Sequence, residues 1–171
     1  SLLQSSRSEG ETLLPADIFM CPDCLNELRD EKNRRHTYYF ITCTNCGPRF
    51  TMIEDYPYDR PFTSMHPFQM CPQCKKEYNN PLDRRYHAQT IACKNCGPKL
   101  RLFVHIKDIS GGSDSDTIKK AIQLIKSGNI VSIKGVGGFH TASLCDDKNV
   151  MKVRELFYRP HKPYAILVKD L

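Results

Sequence analysis

No stretch of this chain approaches 18 consecutive apolar residues, which excludes a transmembrane helix. The first twenty residues also lack the charged, apolar and small-residue order of a signal peptide. A cytoplasmic, reducing setting away from membranes is therefore expected. The chain opens on Ser1 without a methionine and stops at Leu171 just after an apolar run, so both ends read as cut from a longer protein. Aliphatic residues are scarce in one long region: residues 21–100 hold only seven Leu, Ile or Val. Tyr38, Tyr39, Phe40, Phe50 and Phe62 add some burial there, but modules this small cannot rely on it. A basic stripe for phosphate contacts is missing from the same region. Residues 1–100 hold 13 Lys/Arg against 12 Asp/Glu, so the net charge of +6 sits almost wholly in the last 71 residues, with 12 against 7. That balance speaks against a nucleic-acid-binding role for the first hundred residues.

What this region has instead is cysteine. Eight of the nine cysteines fall between Cys21 and Cys96, and a shift of fifty places Cys21, Cys24, Cys43 and Cys46 on Cys71, Cys74, Cys93 and Cys96. Thirteen of the 31 residues from Met20 to Phe50 are repeated identically, including Arg34-Arg35 as Arg84-Arg85. This is a duplicated module. Each copy reads C-x2-C-x18-C-x2-C, within the spacing of four-cysteine zinc sites. Two residues between thiolates let a tight turn aim both sulfurs at one ion, and the glycine after the second pair permits a positive φ. Two such knuckles supply a closed tetrahedral shell, which is structural rather than catalytic. Zinc contributes roughly 10–16 kcal/mol in finger peptides, enough to fold a region with so little aliphatic core.

Disulfides fit less well, because paired C-x2-C knuckles in a repeat are better metal than bridge geometry. An iron–sulfur cluster would pack three cysteines closely together, which this chain does not. His36 and His87 read as surface or second-layer residues. Sequential pairing of the cysteines fits the repeat best; a crossed arrangement joining outer and inner knuckles is the alternative. Four thiolates on a divalent ion leave about −2 per site, taking the first hundred residues to about −3. Arg34-Arg35 and Arg84-Arg85, surrounded by acids, read as solvated turns.

Beyond Ser110 the pattern changes. Ser110–Ser113 reads as a linker, and Asp114, Ser115 and Asp116 offer helix caps. Ile118, Ala121, Ile122 and Ile125 then predict an amphipathic helix that stops at Gly128. Ile130–Ile133 predicts a strand, Val150, Val153 and Phe157 a second helix capped by Asp146 or Asp147, and Tyr164–Val168 a second strand. Helix, strand, helix, strand indicates an incomplete α/β domain. The expected organisation is a linker over 1–17, a tandem finger module over 18–103 with repeats 18–53 and 68–103, a linker over 104–113, and the start of the α/β domain over 114–171. Two features there suit an anionic ligand. Lys134-Gly135-Val136-Gly137-Gly138-Phe139-His140 sets a cation and close-approach glycines after a strand, without matching a dinucleotide or P-loop fingerprint. Arg154 and Arg159-Pro160-His161-Lys162-Pro163 form a basic stretch before the last strand.

The eight-cysteine order, together with Cys43–Phe50, Tyr56–Pro61, Asp83–Gln89, Lys134–His140 and Lys162-Pro163, resembles the HypF family of NiFe-hydrogenase maturation carbamoyltransferases over roughly residues 15–171. The resemblance implies that residues from 114 open a YrdC-like domain. It implies an enzyme that takes carbamoyl phosphate, activates the carbamoyl group with ATP (and Mg) as carbamoyl-adenylate, and transfers it to a cysteine thiol of a HypE-like partner, on the way to a cyanide ligand. Lys134, Gly137, Gly138, His140, Arg159 and Lys162 are then expected to meet nucleotide or carbamoyl, with no catalytic residue assigned and the fragment alone inactive. About two more residues than the family usually has separate His140 from Cys145-Asp146, which leaves the role of His140 open. Cys145 is expected to be packed. The rival expectation is a zinc-dependent protein- or RNA-binding module.

Overall fold

A computed structural model describes residues 15–168; most of the linker expected over 1–17, and residues 169–171, lie outside them. The chain forms two compact units, divided between Lys99 and Leu100.

The first unit is almost devoid of regular structure, as its composition leads one to expect. Among the described residues its α-helices are two copies of one short element, α1 (Pro22–Arg29) and α2 (Pro72–Asn79). Each starts on a cysteine, Cys21 or Cys71, with extended backbone, followed by proline at the first helical position. Proline suits that position because its missing N–H would have no partner there. After each helix the chain turns back through a residue at positive φ, Thr37 at 57° and His87 at 53°. Their amides donate to equivalent helix carbonyls, Leu28 at 2.9 Å and Tyr78 at 3.0 Å. The duplication seen in the sequence is thus a duplication of backbone.

Two small cores result. One gathers Cys24, Tyr38, Ile41, Cys43, Cys46, Met52, Met65 and Ala92; the other gathers Cys74, Ala88, Ile91 and Cys93. Cysteines make up a large part of both. Ala92 belongs to the second repeat yet packs in the first core, so the modules are interlocked. The connecting segment is pinned by Arg60, whose buried guanidinium donates to the carbonyls of Gln89 (2.7 Å), Ile91 (2.8 Å) and Phe68 (2.7 Å).

The glycines after the second cysteine pairs serve different ends. Gly47 has φ +100°, and a Cβ there would stand 2.6 Å from Thr42 Cγ2. Gly97 does not use the positive φ that glycine permits. It is needed because the Tyr38 hydroxyl and the Ala92 Cβ occupy the space its own Cβ would take.

In the second unit a hairpin, β1 (Phe103–Val104) and β2 (Lys107–Asp108), precedes α3 (Asp114–Lys126). The α3 cap is Ser113, one residue before the expected candidates: its side chain accepts from the Asp116 amide at 3.2 Å. Asp114 accepts from the Leu100 amide instead. Gly128, at φ +79°, follows the helix end. Strand β3 (Val131–Lys134) then pairs antiparallel with β4 (Phe139–Ala142), and α4 (Asp147–Leu156) is capped by Asp146.

The structure departs from the sequence expectation at Tyr164–Val168 and at Cys145. Tyr164–Val168 forms no strand; a strand needs a neighbour for its backbone groups, and among the described residues none pairs with it. The chain places its second strand at Phe139–Ala142, folded back by the glycine turn. Cys145 is exposed rather than packed.

The contact at Gly97 gives a direct test. Gly97→Ala should cost about 1–3 kcal/mol by overpacking, measured by denaturant unfolding of the zinc-loaded chain. Combined with Tyr38→Phe, which removes the opposing hydroxyl, the loss should be smaller than the sum of the two single losses. Additive losses would contradict the contact.

Candidate metal centres

The eight cysteines form two separate clusters, Cys21/Cys24/Cys43/Cys46 and Cys71/Cys74/Cys93/Cys96, each with its sulfurs within 4.8 Å of one another. Pairing is sequential, not crossed, and no histidine joins either cluster among the described residues. His87 instead stacks on Tyr78 at 4.9 Å and meets Tyr86 edge-on at 4.4 Å.

Local structure explains the aim of each sulfur. Cys21 and Cys24 stand at the N-cap and third position of α1, and Cys71 and Cys74 likewise on α2. These are the positions where helix amides are free and the dipole favours negative charge. The second knuckle adds an amide from Asn45 to Cys43 Sγ at 3.3 Å.

The spacing fits one ion per cluster. Tetrahedral thiolate bonds of about 2.3 Å place the sulfurs about 3.8 Å apart. The observed separations are 3.7 Å for Cys21–Cys43 and Cys43–Cys46, 3.8 Å for Cys71–Cys93 and Cys93–Cys96, and 3.6 Å for Cys74–Cys96. A disulfide would require about 2.05 Å, and the structure has these cysteines free. Each cluster could therefore hold a zinc ion.

The ionisation pattern agrees. Burial opposes charge on Cys21, but the Arg84 guanidinium and the Cys24 amide outweigh it and hold the thiol down to about 6. Cys71 is held at about 7, its burial outweighed by bonds from Cys74, Cys93 and Cys96. Burial pushes Cys24 and Cys74 up, as it does Cys43 and Cys93. Thiols crowded this closely cannot all ionise unless a cation lies among them.

The arginine pairs expected to be solvated turns are part of both sites. Arg34 of the first repeat donates through Nη2 to Cys93 (3.1 Å), Cys71 (3.4 Å) and Cys74 (3.4 Å) of the second. Arg84 of the second donates through Nη2 to Cys24 (3.2 Å) and Cys21 (3.3 Å) of the first. Arg35 and Arg85, 1% and 4% exposed, run alongside to Cys74 at 3.6 Å and Cys24 at 3.8 Å. Their Nε atoms donate to equivalent carbonyls, Ala92 at 2.9 Å and Thr42 at 2.8 Å.

A carboxylate holds each pair in place. Glu77 receives Arg34 at 2.9 Å and Arg35 at 2.5 Å, while Glu27 receives Arg84 at 2.7 Å and Arg85 at 2.6 Å. Burial opposes charge on Glu77, but the two guanidiniums hold its carboxyl below the usual range. With zinc bound, a tetrathiolate of about −2, two guanidiniums and one carboxylate would leave each assembly near −1. The sequence carried a signal for this, since Glu27 and the Arg34-Arg35 pair both recur fifty residues later.

The residues singled out in the second unit fall into two groups. Lys134 ends β3, its Nζ donating to Gly135 O at 2.9 Å and lying 5.5 Å from the Phe139 ring centre. Gly137 and Gly138 form the turn, and His140, exposed on β4, faces Ile133 across the ladder. Arg159 and Lys162 lie on the loop after α4. Arg154, read from the sequence as part of the basic stretch that suits an anionic ligand, instead folds that loop by donating to the carbonyls of Arg159 (2.9 Å), Pro160 (2.9 Å) and Lys162 (3.1 Å). Arg154 and Arg159 also flank Tyr164, at 5.2 and 5.4 Å from the ring centre. Among the described residues no hydrogen bond or ion pair joins the hairpin group to the loop group.

Residues 20–53 and 70–103 each match the family model described as HypF finger. The chain is 49% identical over its whole length to carbamoyltransferase HypF2 of Cupriavidus necator, and 49% identical over 97% of its length to a probable carbamoyltransferase HypF of Methanocaldococcus jannaschii. It covers 21% and 22% of those proteins, so it spans about a fifth of the curated relatives it matches. A crystal structure of full-length HypF in a phosphate- and nucleotide-bound form superposes on 95% of the chain, and the chain on 21% of it, with a TM-score of 0.84 at 48% identity.

Zinc-edge X-ray absorption of the loaded chain should show four sulfurs at about 2.3 Å and no nitrogen or oxygen in the shell. A mixed sulfur and nitrogen shell would contradict the two all-cysteine clusters.

Proposed function

Because the chain belongs to the HypF family, spanning about a fifth of its members' length, we propose that it is the zinc-finger region and the opening of a YrdC-like domain from a cytoplasmic carbamoyltransferase. The observation that carries this reading is 49% identity across both units to proteins named as carbamoyltransferases. In the longer protein, hydrolysis of carbamoyl phosphate by water releases phosphate and supplies carbamate. A carbamate oxygen attacks the α-phosphorus of ATP (with Mg), pyrophosphate leaves, and carbamoyl-adenylate forms. A cysteine thiolate of a HypE-like partner then attacks the carbamoyl carbon and AMP departs. Residues 114–171 would contribute Lys134, the Gly137-Gly138 turn, His140, Arg159 and Lys162 to nucleotide phosphate or carbamoyl, through cations and backbone amides that stabilise developing charge. A full-length relative solved in a phosphate- and nucleotide-bound form is in keeping with nucleotide handling by the longer protein. Residues 18–103, holding two zinc ions, serve as scaffold, with 104–113 as the connection. The RNA-binding alternative loses support because Arg34, Arg35, Arg84 and Arg85 are engaged by thiols and carboxylates.

The chain alone should release no pyrophosphate from ATP and carbamoyl phosphate. In the longer protein Lys162→Ala should lower carbamoyl-adenylate formation by about 10²-fold or more, with zinc content unchanged. Turnover by the chain alone would overturn its expected inactivity, and an unaffected Lys162→Ala enzyme would overturn the assignment of Lys162.

A further inference from the structure

Each arginine pair sits in the loop between the two cysteine pairs of its own module: Arg34-Arg35 between Cys24 and Cys43, Arg84-Arg85 between Cys74 and Cys93. An ion bound by one cluster ties both ends of its loop together and fixes the turn that presents the arginines. That turn is set locally by Asn33, which accepts from the Arg35 amide, and by Asp83, which accepts from the Arg85 amide, both at 2.8 Å. The arginines so presented do not serve the cluster that fixed them. They donate to the sulfurs of the other one.

We propose that the two metal sites load as one cooperative unit, each ion organising the guanidiniums that neutralise the thiolates of the opposite site. The coupling is reciprocal by thermodynamic necessity: whatever factor the first ion adds to the second site's affinity, the second adds to the first. Arg34 and Arg84 are positioning residues in this scheme, acting on the ion through sulfur. The inference concerns only the chain's own residues toward zinc and is independent of the carbamoyl-transfer reading.

Native mass spectrometry of the zinc-free chain titrated with zinc tests it. Two independent, equal sites would leave half the chains with one ion at half-saturation, and unequal sites would leave more. Coupling of about 5- to 150-fold lowers that fraction to about 31% down to 8%. Half or more of the chains carrying one ion would overturn the proposal. The route is tested by substituting one arginine and mapping which cysteines are alkylated first as a chelator removes zinc. Arg34→Gln should expose Cys71, Cys74, Cys93 and Cys96 first, in the module opposite the substitution, and Arg84→Gln should expose Cys21, Cys24, Cys43 and Cys46 first. A purely structural role in the arginine's own loop gives the reverse order, and that order, or the same order in both variants, would sink the arginine route. Total zinc at saturation, about two per chain, is read separately and tests only the premise that the clusters bind zinc.

Discussion

Guanidinium donation from each repeat onto the cysteine sulfurs of the other is the contact on which the first unit depends. A four-thiolate site carries surplus negative charge, and here it lies against a core too small to be closed by aliphatic packing. The arginines address both problems. Their charge offsets that of the thiolates, and the long stems of Arg35 and Arg85, 1% and 4% exposed, fill buried volume in a unit short of aliphatic side chains. Glu27 and Glu77 then prevent a buried guanidinium from standing unpaired, a loss that typically costs about 3–5 kcal/mol.

Duplication makes this arrangement self-consistent. Because the donor pair, the carboxylate and the cysteines all recur at the same interval, one contact generates its mirror copy, with Arg35 to the Ala92 carbonyl matched by Arg85 to the Thr42 carbonyl. The copies diverge at the glycine after the second cysteine pair. Gly47 adopts a left-handed turn, whereas Gly97 makes room for Tyr38 from the other repeat. A module on its own would lose its neighbour's arginines and part of its core.

The cysteine clusters were legible in the sequence because ligand chemistry is written in spacing, and α3 because an amphipathic period is local. The arginine braces were not. Their partners lie 37–63 residues away, and Arg-Arg beside acids has the same local signature as a solvated turn. The repeat held the clue, since a surface turn has no reason to keep both its arginines and a distant glutamate. The second unit misled in the opposite way. Tyr164–Val168 has the β-branched and apolar content of a strand, but a strand exists only with a partner, and β3 pairs with Phe139–Ala142. The glycines that suggested a phosphate-binding turn also permit that hairpin.

Interlocked as they are, the two repeats should behave as one zinc-dependent folding unit. Amide hydrogen exchange of the loaded chain, followed while a chelator removes zinc in steps, tests it most directly. Helices α1 and α2 should lose protection together, at the same zinc level. Loss of protection in one repeat while the other stays fully protected would contradict it.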